Sequence, residues 1–338
     1  MSIIFKDHKL QREMETALAA VRQAGLLCRA VQAEIDLGAE SKQDKSPVTI
    51  ADFGSQALIC RALGEVFPDD PVIGEEDAAM LQEDGHENML TRVLGHVGQY
   101  VSPASSADVC AWIDRGNAKT YSDRFWTLDP IDGTKGFLRG QQYAIALALI
   151  IEGEVALAVL GCPNLGTSLA AERGDGTLMA AIAGEGTWQM PLVGEGVGVR
   201  VNVSPQNDTA QIRFCESVEA AHSSHSDSAR IATELQIEAE PARLDSQAKY
   251  AVVSRGEAEV YLRLPRDSKY QEKIWDHAAG VLCVAEAGGQ ITDVPGNPLD
   301  FSQGYTLSKN SGVIVSNGSL HENVLRAITK LGIGRFDG

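Results

Sequence analysis

Trp126-Thr127-Leu128-Asp129-Pro130-Ile131-Asp132-Gly133-Thr134-Lys135-Gly136-Phe137 is the stretch on which both the fold and the chemistry turn. Phe125 to Asp129 reads as a strand, and two carboxylates three residues apart follow across a proline that fixes the backbone. Carboxylates so close repel each other unless a cation lies between them. Oxygen donors of this kind suit Mg²⁺, and the Ile131 carbonyl offers a further oxygen between them. Gly133-Thr134 comes next and can open a short helix, whose free N–H groups receive a phosphate. The plain alternative is an Asp-Gly turn with a capping threonine.

Outward from this segment, the patterning is of mixed helix and strand. Leu10, Met14, Leu18, Val21 and Leu26 recur at helical spacing, which predicts an amphipathic helix over residues 9–36. Asp52 to Phe67 reads as a second helix, with Thr49-Ile50-Ala51-Asp52 as a capping box at its start. Residues 77–118 read as an irregular surface insertion. Tyr143 to Ile151 and Val155 to Gly161 flank Glu152-Gly153-Glu154 as a β-hairpin, and the glycine-rich stretch 161–200 suggests further strands. A new αβ pattern begins near Arg213. It includes a helix from Trp275 to Glu286, ended by Gly288-Gly289, and a strand from Gln290 to Asp293. The expected organisation is two αβ halves, 1–212 and 213–338.

The chain has 338 residues, with 29 Lys+Arg against 46 Asp+Glu and a net charge of −17. That balance argues against nucleic acid or an anionic membrane as partner, since both need clustered basic side chains. The six cysteines have wide, irregular spacings and fit buried reduced thiols better than a disulfide framework. The N-terminus lacks a signal-peptide apolar core, and the longest apolar run is too short to span a bilayer. A soluble, cytoplasmic protein is expected.

Other acids could complete a cation site. Gly74-Glu75-Glu76-Asp77 follows Val72-Ile73 at a strand end, although residues 65–90 hold nine acids and no Lys or Arg, as a solvated acidic face would. Asp276, in Trp275-Asp276-His277, sits at a helix start where it could equally be an N-cap. Residues 243–273 carry seven Lys/Arg against five Asp/Glu, a local positive excess. An aspartyl-nucleophile motif fails on spacing, because Pro130 stands two before Asp132. No GxxxxGK[ST] loop occurs.

Together these segments resemble the lithium-sensitive, magnesium-dependent phosphomonoesterases of the inositol monophosphatase superfamily. The superfamily motifs are Gly-Glu-Glu at 74–76, Asp-Pro-Ile-Asp-Gly-Thr at 129–134 and Trp-Asp-His-Ala-Ala-Gly at 275–280. Ser46 to Thr49, Lys135 to Gly140, His222 to His225, Leu244 to Tyr250 and Val260 to Pro265 are similar to its bisphosphate nucleotidase branch. The resemblance covers nearly the whole chain, with 77–118 unmapped.

The resemblance implies a layered α/β/α/β/α sandwich of the inositol monophosphatase and fructose-1,6-bisphosphatase type, with the site between the halves. It implies two or three Mg²⁺ ions held by Glu75, Asp129, the Ile131 carbonyl, Asp132 and Asp276, with Glu76 holding a weaker one through water. Asp52 and Thr134 would orient and deprotonate the attacking water. Gly133 and Thr134 would meet the reacting phosphate. His222, Ser246, Lys249 and Arg263, with Asp276, would surround the nucleoside and its second phosphate. The implied reaction is hydrolysis of the 3′-phosphate of adenosine 3′,5′-bisphosphate by a lithium-inhibited monomer, with 3′-phosphoadenylyl sulfate as a further substrate. An inositol polyphosphate 1-phosphatase is the alternative within the superfamily. A catalytically silent nucleotide sensor is the alternative outside enzymes.

Overall fold

The computed structural model describes residues 5–35, 46–194, 196–218, 225–265, 267 and 269–334. Two sheets form the frame. The first has seven strands in sequence order: β1 (Val72–Gly74), β2 (Arg124–Asp132), β3 (Ala144–Ile151), β4 (Glu154–Cys162), β5 (Thr177–Ile182), β6 (Gly186–Pro191) and β7 (Val199–Val201). β1 runs parallel to β2 and every later neighbour is antiparallel. The second is built from β8 (Phe214–Glu216), β9 (Ala242–Arg243), β10 (Val260–Arg263), β11 (Gln290–Thr292) and β12 (Val313–Ser316), in the order β11-β12-β10-β8-β9.

The helices are α1 (Gln11–Ala33), α2 (Ser46–Val66), α3 (Glu87–Val97), α4 (Ser106–Asp114), α5 (Thr134–Leu138), α6 (His225–Glu234), α7 (Ala248–Ser254), α8 (Ala278–Glu286) and α9 (His321–Leu331). Three apolar clusters show how they stack. On β3, Ile145, Leu147 and Leu149 pack toward α1 and α2, whereas Ala144, Ala146 and Ala148 pack toward α7 and α8. Alternate residues of a strand face opposite sides, and both sides here are covered by helices. That explains why β3 is an unbroken apolar run. The second sheet turns Tyr261, Val313 and Val315 to α7 and α8, and Phe214, Val260, Leu262 and Ile314 to α6 and α9. The order is therefore α/β/α/β/α, as the resemblance implied.

The middle helical layer is tight. A Cβ added to Gly280 would lie 2.3 Å from Cγ of Tyr250, so α8 reaches α7 only because residue 280 lacks a side chain. Gly280→Ala should cost about 1–3 kcal/mol by overpacking. Urea unfolding would read this as a lower midpoint, and an unchanged midpoint would mean that the two helices part easily.

Three sequence expectations need correction. α2 begins at Ser46, so Thr49 and Asp52 lie within the helix and form no capping box at its start. Residues 77–118 are not an irregular insertion. They contain α3 and α4, whose Val93, Val97, Val109 and Ile113 are fully buried in the cluster around α2. The helix predicted from Trp275 is broken: Ile274–Asp276 is a 3₁₀ turn, and His277, at φ −134° and ψ −40°, separates it from α8. Asp276 therefore closes a turn and is not an N-cap.

All six cysteines are free and buried. No helix among the described residues is long and apolar enough to cross a membrane.

Candidate active site

The carboxylates converge because parallel pairing of β1 with β2 sets Gly74 beside Leu128. Both strands then end at the same place: Glu75 leaves β1 as Asp129 enters the irregular end of β2. The ladder between β2 and β3 shifts register between Asp129 and Asp132. Regular alternation would send side chains three apart to opposite faces. The shift across Pro130, whose carbonyl accepts a hydrogen bond from Ser55 Oγ at 3.0 Å, lets both acids reach one cavity.

That cavity, about 400 Å³, is lined by Glu75, Asp129, Ile131, Asp132 and Asp276, and also by Gly133 and Thr134. From the other half, together with Asp276, come Ser246, Lys249 and Arg263. Gly133, at φ +90°, caps α5 from a left-handed conformation that glycine adopts without strain. A Cβ there would lie 2.8 Å from Ser246 Cβ, so the two halves of the site meet at this glycine. Gln247 N donates to Asp132 Oδ2 at 2.6 Å and ties the same junction. Asp52, on α2, borders an adjoining cavity of about 360 Å³, with Thr49, Glu76 and Asp77. Glu75 lines both cavities. Gln56 holds Glu76 in place: its Oε1 accepts from Glu76 N at 3.1 Å and its Nε2 donates to Glu76 O at 2.5 Å. His222 lies outside the described residues.

The acids are too crowded to be charged together without a counter-charge. Burial, then repulsion from Asp276, Glu76 and Asp132, pushes the Glu75 carboxyl up to about 8, while a hydrogen bond to Asp129 opposes this. Burial and the charge of Glu75 push Asp129 well above the usual carboxylate range. Asp52 rises likewise from burial, then from Glu76 and Glu75. Asp276 rises to about 6, chiefly from burial, with Arg263 opposing the rise. Asp129 Oδ1 is buried and has no hydrogen-bond partner. A buried acceptor left unmade is costly, and a hard cation would satisfy it. Carboxylates and a carbonyl are the donor set Mg²⁺ takes, so the residues fit that ion.

A pH dependence follows for chelated protein. Folded-state pKa values above the unfolded ones mean that the folded chain holds more protons. The stability they contribute is complete in acid and is lost as pH rises through about 6 for Asp276 and about 8 for Glu75. Chelated protein should therefore melt about 4 °C or more lower at pH 8.5 than at pH 5.5. Glu75→Gln or added Mg²⁺ should flatten the difference. Equal melting temperatures for chelated wild type at the two pH values would refute the proton-holding cluster.

The sequence reading missed several cavity residues. Asp245 and Gln247 lie inside the Leu244 to Tyr250 motif that was singled out, so a signal was there. Tyr261 likewise lies inside the Val260 to Pro265 motif, whereas Ser217 and Tyr270 line the cavity with nothing in their local sequence to announce it.

Comparison with known proteins agrees with this geometry. The model of the inositol monophosphatase family matches residues 9–332, and the chain belongs to that family. Among curated relatives, it is 42% identical to the 3′(2′),5′-bisphosphate nucleotidase of Emericella nidulans, over 95% of this chain and 98% of that protein. The proteins of the same name from Schizosaccharomyces pombe (42%, covering 93% of this chain and 94% of that one) and Oryza sativa (42%, covering 94% and 93%) are as similar. Of solved structures, the Thermotoga maritima IMPase superposes with a TM-score of 0.64 over 95% of this chain and 98% of that one, at 22% identity. The inositol monophosphatase of Anabaena does so at 0.61 over 95% and 96%, at 18% identity. Both establish the fold alone.

Proposed function

We propose that this protein is a Mg²⁺-dependent 3′(2′),5′-bisphosphate nucleotidase. It removes the 3′-phosphate of adenosine 3′,5′-bisphosphate to give AMP and phosphate, and also accepts 3′-phosphoadenylyl sulfate. The observation that carries this reading is one cavity in which Glu75, Asp129, Asp132 and Asp276 face Lys249 and Arg263, a place for a cation beside a place for a second phosphate.

Glu75, Asp129, Asp132, Asp276 and the Ile131 carbonyl hold two or three Mg²⁺ in this reading. Mg²⁺ held there would reverse the local charge and would make a bound water more acidic. Asp52 and Thr134 orient the attacking water and take its proton. The water oxygen forms a bond to phosphorus in line, the bond from phosphorus to the 3′-oxygen breaks, and that oxygen leaves with a proton. The Gly133 and Thr134 amides hold the phosphoryl oxygens. Lys249 and Arg263 bind the second phosphate, arginine as a planar bidentate partner. Ser246 and His222 contact the nucleoside. The first half, 1–212, supplies most cation ligands, and the second, 213–338, supplies the nucleotide contacts and Asp276. The protein acts as a cytoplasmic monomer, with Li⁺ competing for a weakly held Mg²⁺ site.

A substrate panel tests the reading. Phosphate release from adenosine 3′,5′-bisphosphate, 3′-phosphoadenylyl sulfate and inositol 1,4-bisphosphate should require Mg²⁺, fall with Li⁺ and be fastest with the nucleotides. Preference for the inositol compound would make the protein an inositol polyphosphate 1-phosphatase. Tight nucleotide binding with only trace hydrolysis would make it a sensor.

A further inference from the structure

Arg263 stands between two acids. Its Nε donates to Glu272 Oε1 at 3.2 Å, and its Nη2 lies 3.1 Å from Glu272 Oε2 and 3.5 Å from Asp276 Oδ2. Two nitrogens on two oxygens of Glu272 outcompete one longer contact to Asp276. Glu272 is itself fixed from behind. Its Oε2 lies 3.1 Å from His277 Nε2, and His277 Nδ1 lies 2.7 Å from the Tyr250 hydroxyl. A carboxylate only accepts, so Nε2 carries a proton toward Glu272, and Nδ1 shares its hydrogen bond with the Tyr250 hydroxyl. The Glu272 backbone carbonyl is also held, accepting from Leu307 N at 2.8 Å. Glu272, His277 and Tyr250 are all buried, so water cannot replace any link.

Glu272, Asp276 and His277 offer donor atoms within 4.8 Å of one another. With Glu272 paired to both Arg263 and His277, the three residues are not read as a second cation site.

We infer that Glu272 is a positioning residue that divides the site: it takes the two shorter contacts of Arg263 and leaves Asp276 only the one at 3.5 Å, so that Asp276 can serve the cation and Arg263 the substrate's second phosphate. This rests on the proposed roles of Asp276 and Arg263. Without the Glu272 carboxylate, Asp276 is the acid within reach of Arg263, and a guanidinium bound there competes with the cation for the same oxygens.

The test is Mn²⁺ affinity, read by electron paramagnetic resonance without substrate, in a double-mutant cycle. Glu272→Gln should weaken binding about tenfold in wild-type protein, as changes behind a metal ligand commonly do. In an Arg263→Gln background the same change should alter binding less than about twofold, because no guanidinium remains to move. An equal loss in both backgrounds would mean that Glu272 acts only as a nearby negative charge, and the proposal would fall. No loss in either would end it too. Glu272→Asp guards against misfolding, because it keeps the charge while shortening the reach. It should weaken Mn²⁺ severalfold with Arg263 present and not in the Arg263→Gln background; equal effects would again overturn the proposal. Wild-type protein that binds no Mn²⁺ would remove the cation reading and this proposal with it. Wild-type binding indifferent to Glu272 would remove the proposal alone.

Discussion

Asp132→Asn should slow phosphate release from adenosine 3′,5′-bisphosphate by about 10²–10³-fold, as loss of a transition-state electrostatic contact does elsewhere. The fold should survive. The structural task of Asp132 is to accept the Gln247 N–H at 2.6 Å, and an asparagine carbonyl oxygen of the same shape can still accept it. What disappears is a negative charge in a cluster built of negative charges. In the absence of metal that loss relieves repulsion on Glu75 and Asp129, both of which carry Asp132 among the causes of their raised pKa values. The variant should therefore melt no lower than wild type when chelated, and gain less stability from added Mg²⁺. Parallel assays of turnover and melting separate the two effects. Near-normal turnover would remove Asp132 from the cation site.

Arg263→Ala should raise KM for adenosine 3′,5′-bisphosphate about 10–100-fold and leave KM for 3′-AMP within a few-fold, because a charge-assisted hydrogen bond is worth about 1.5–3 kcal/mol. Arg263 is four-fifths buried, at 19% side-chain exposure, and its charge is balanced by Glu272 and Asp276. Its removal frees both acids, so the comparison belongs at saturating Mg²⁺, where altered cation affinity does not enter. Equal losses with the two nucleotides would deny Arg263 a role in reading the second phosphate. Lys249 is the natural control. It is buried, burial pulls its pKa down, and its Nζ donates to Leu244 O at 3.3 Å. A Lys249→Met variant tells whether one cation or both carry selectivity.

How much of this could be read without coordinates depended on how local each signal was. Asp129, Ile131, Asp132 and Gly133-Thr134 announce themselves because one short segment supplies strand, proline, acids and glycine in order. Glu75 and Asp276 were legible as members of motifs, although Glu75 is brought in by the pairing of β1 with β2 and Asp276 by a 3₁₀ turn packed against β2, neither of which a local pattern encodes. The start of α2 was misplaced because Thr49-x-x-Asp52 has the letters of a capping box while the helix already runs through it. α3 escaped notice because its segment is acid-rich at the start, and its buried residues Val93, His96 and Val97 only make sense against α2. The break at His277 carries no Gly or Pro. It accompanies the side-chain ties of His277 to Glu272 and Tyr250, and those partners are brought in by packing. Glu272 was invisible for the same reason: it lies outside any strand or helix, and its meaning lies in facing Arg263 at the end of β10.

The middle helical layer bears on how the molecule comes apart. α8 packs against β3, β4, β5 and β6 of one sheet and against β11 of the other, while α7 touches β8 and β10. Each sheet thus uses the same two helices to cover its inner apolar face, and neither keeps that face dry if the other leaves. Amide protons of both sheets should then exchange through one shared global opening. A partly unfolded species retaining one intact sheet should not accumulate, so a cation seated at the strand ends of β1 and β2 would slow exchange as far away as β12.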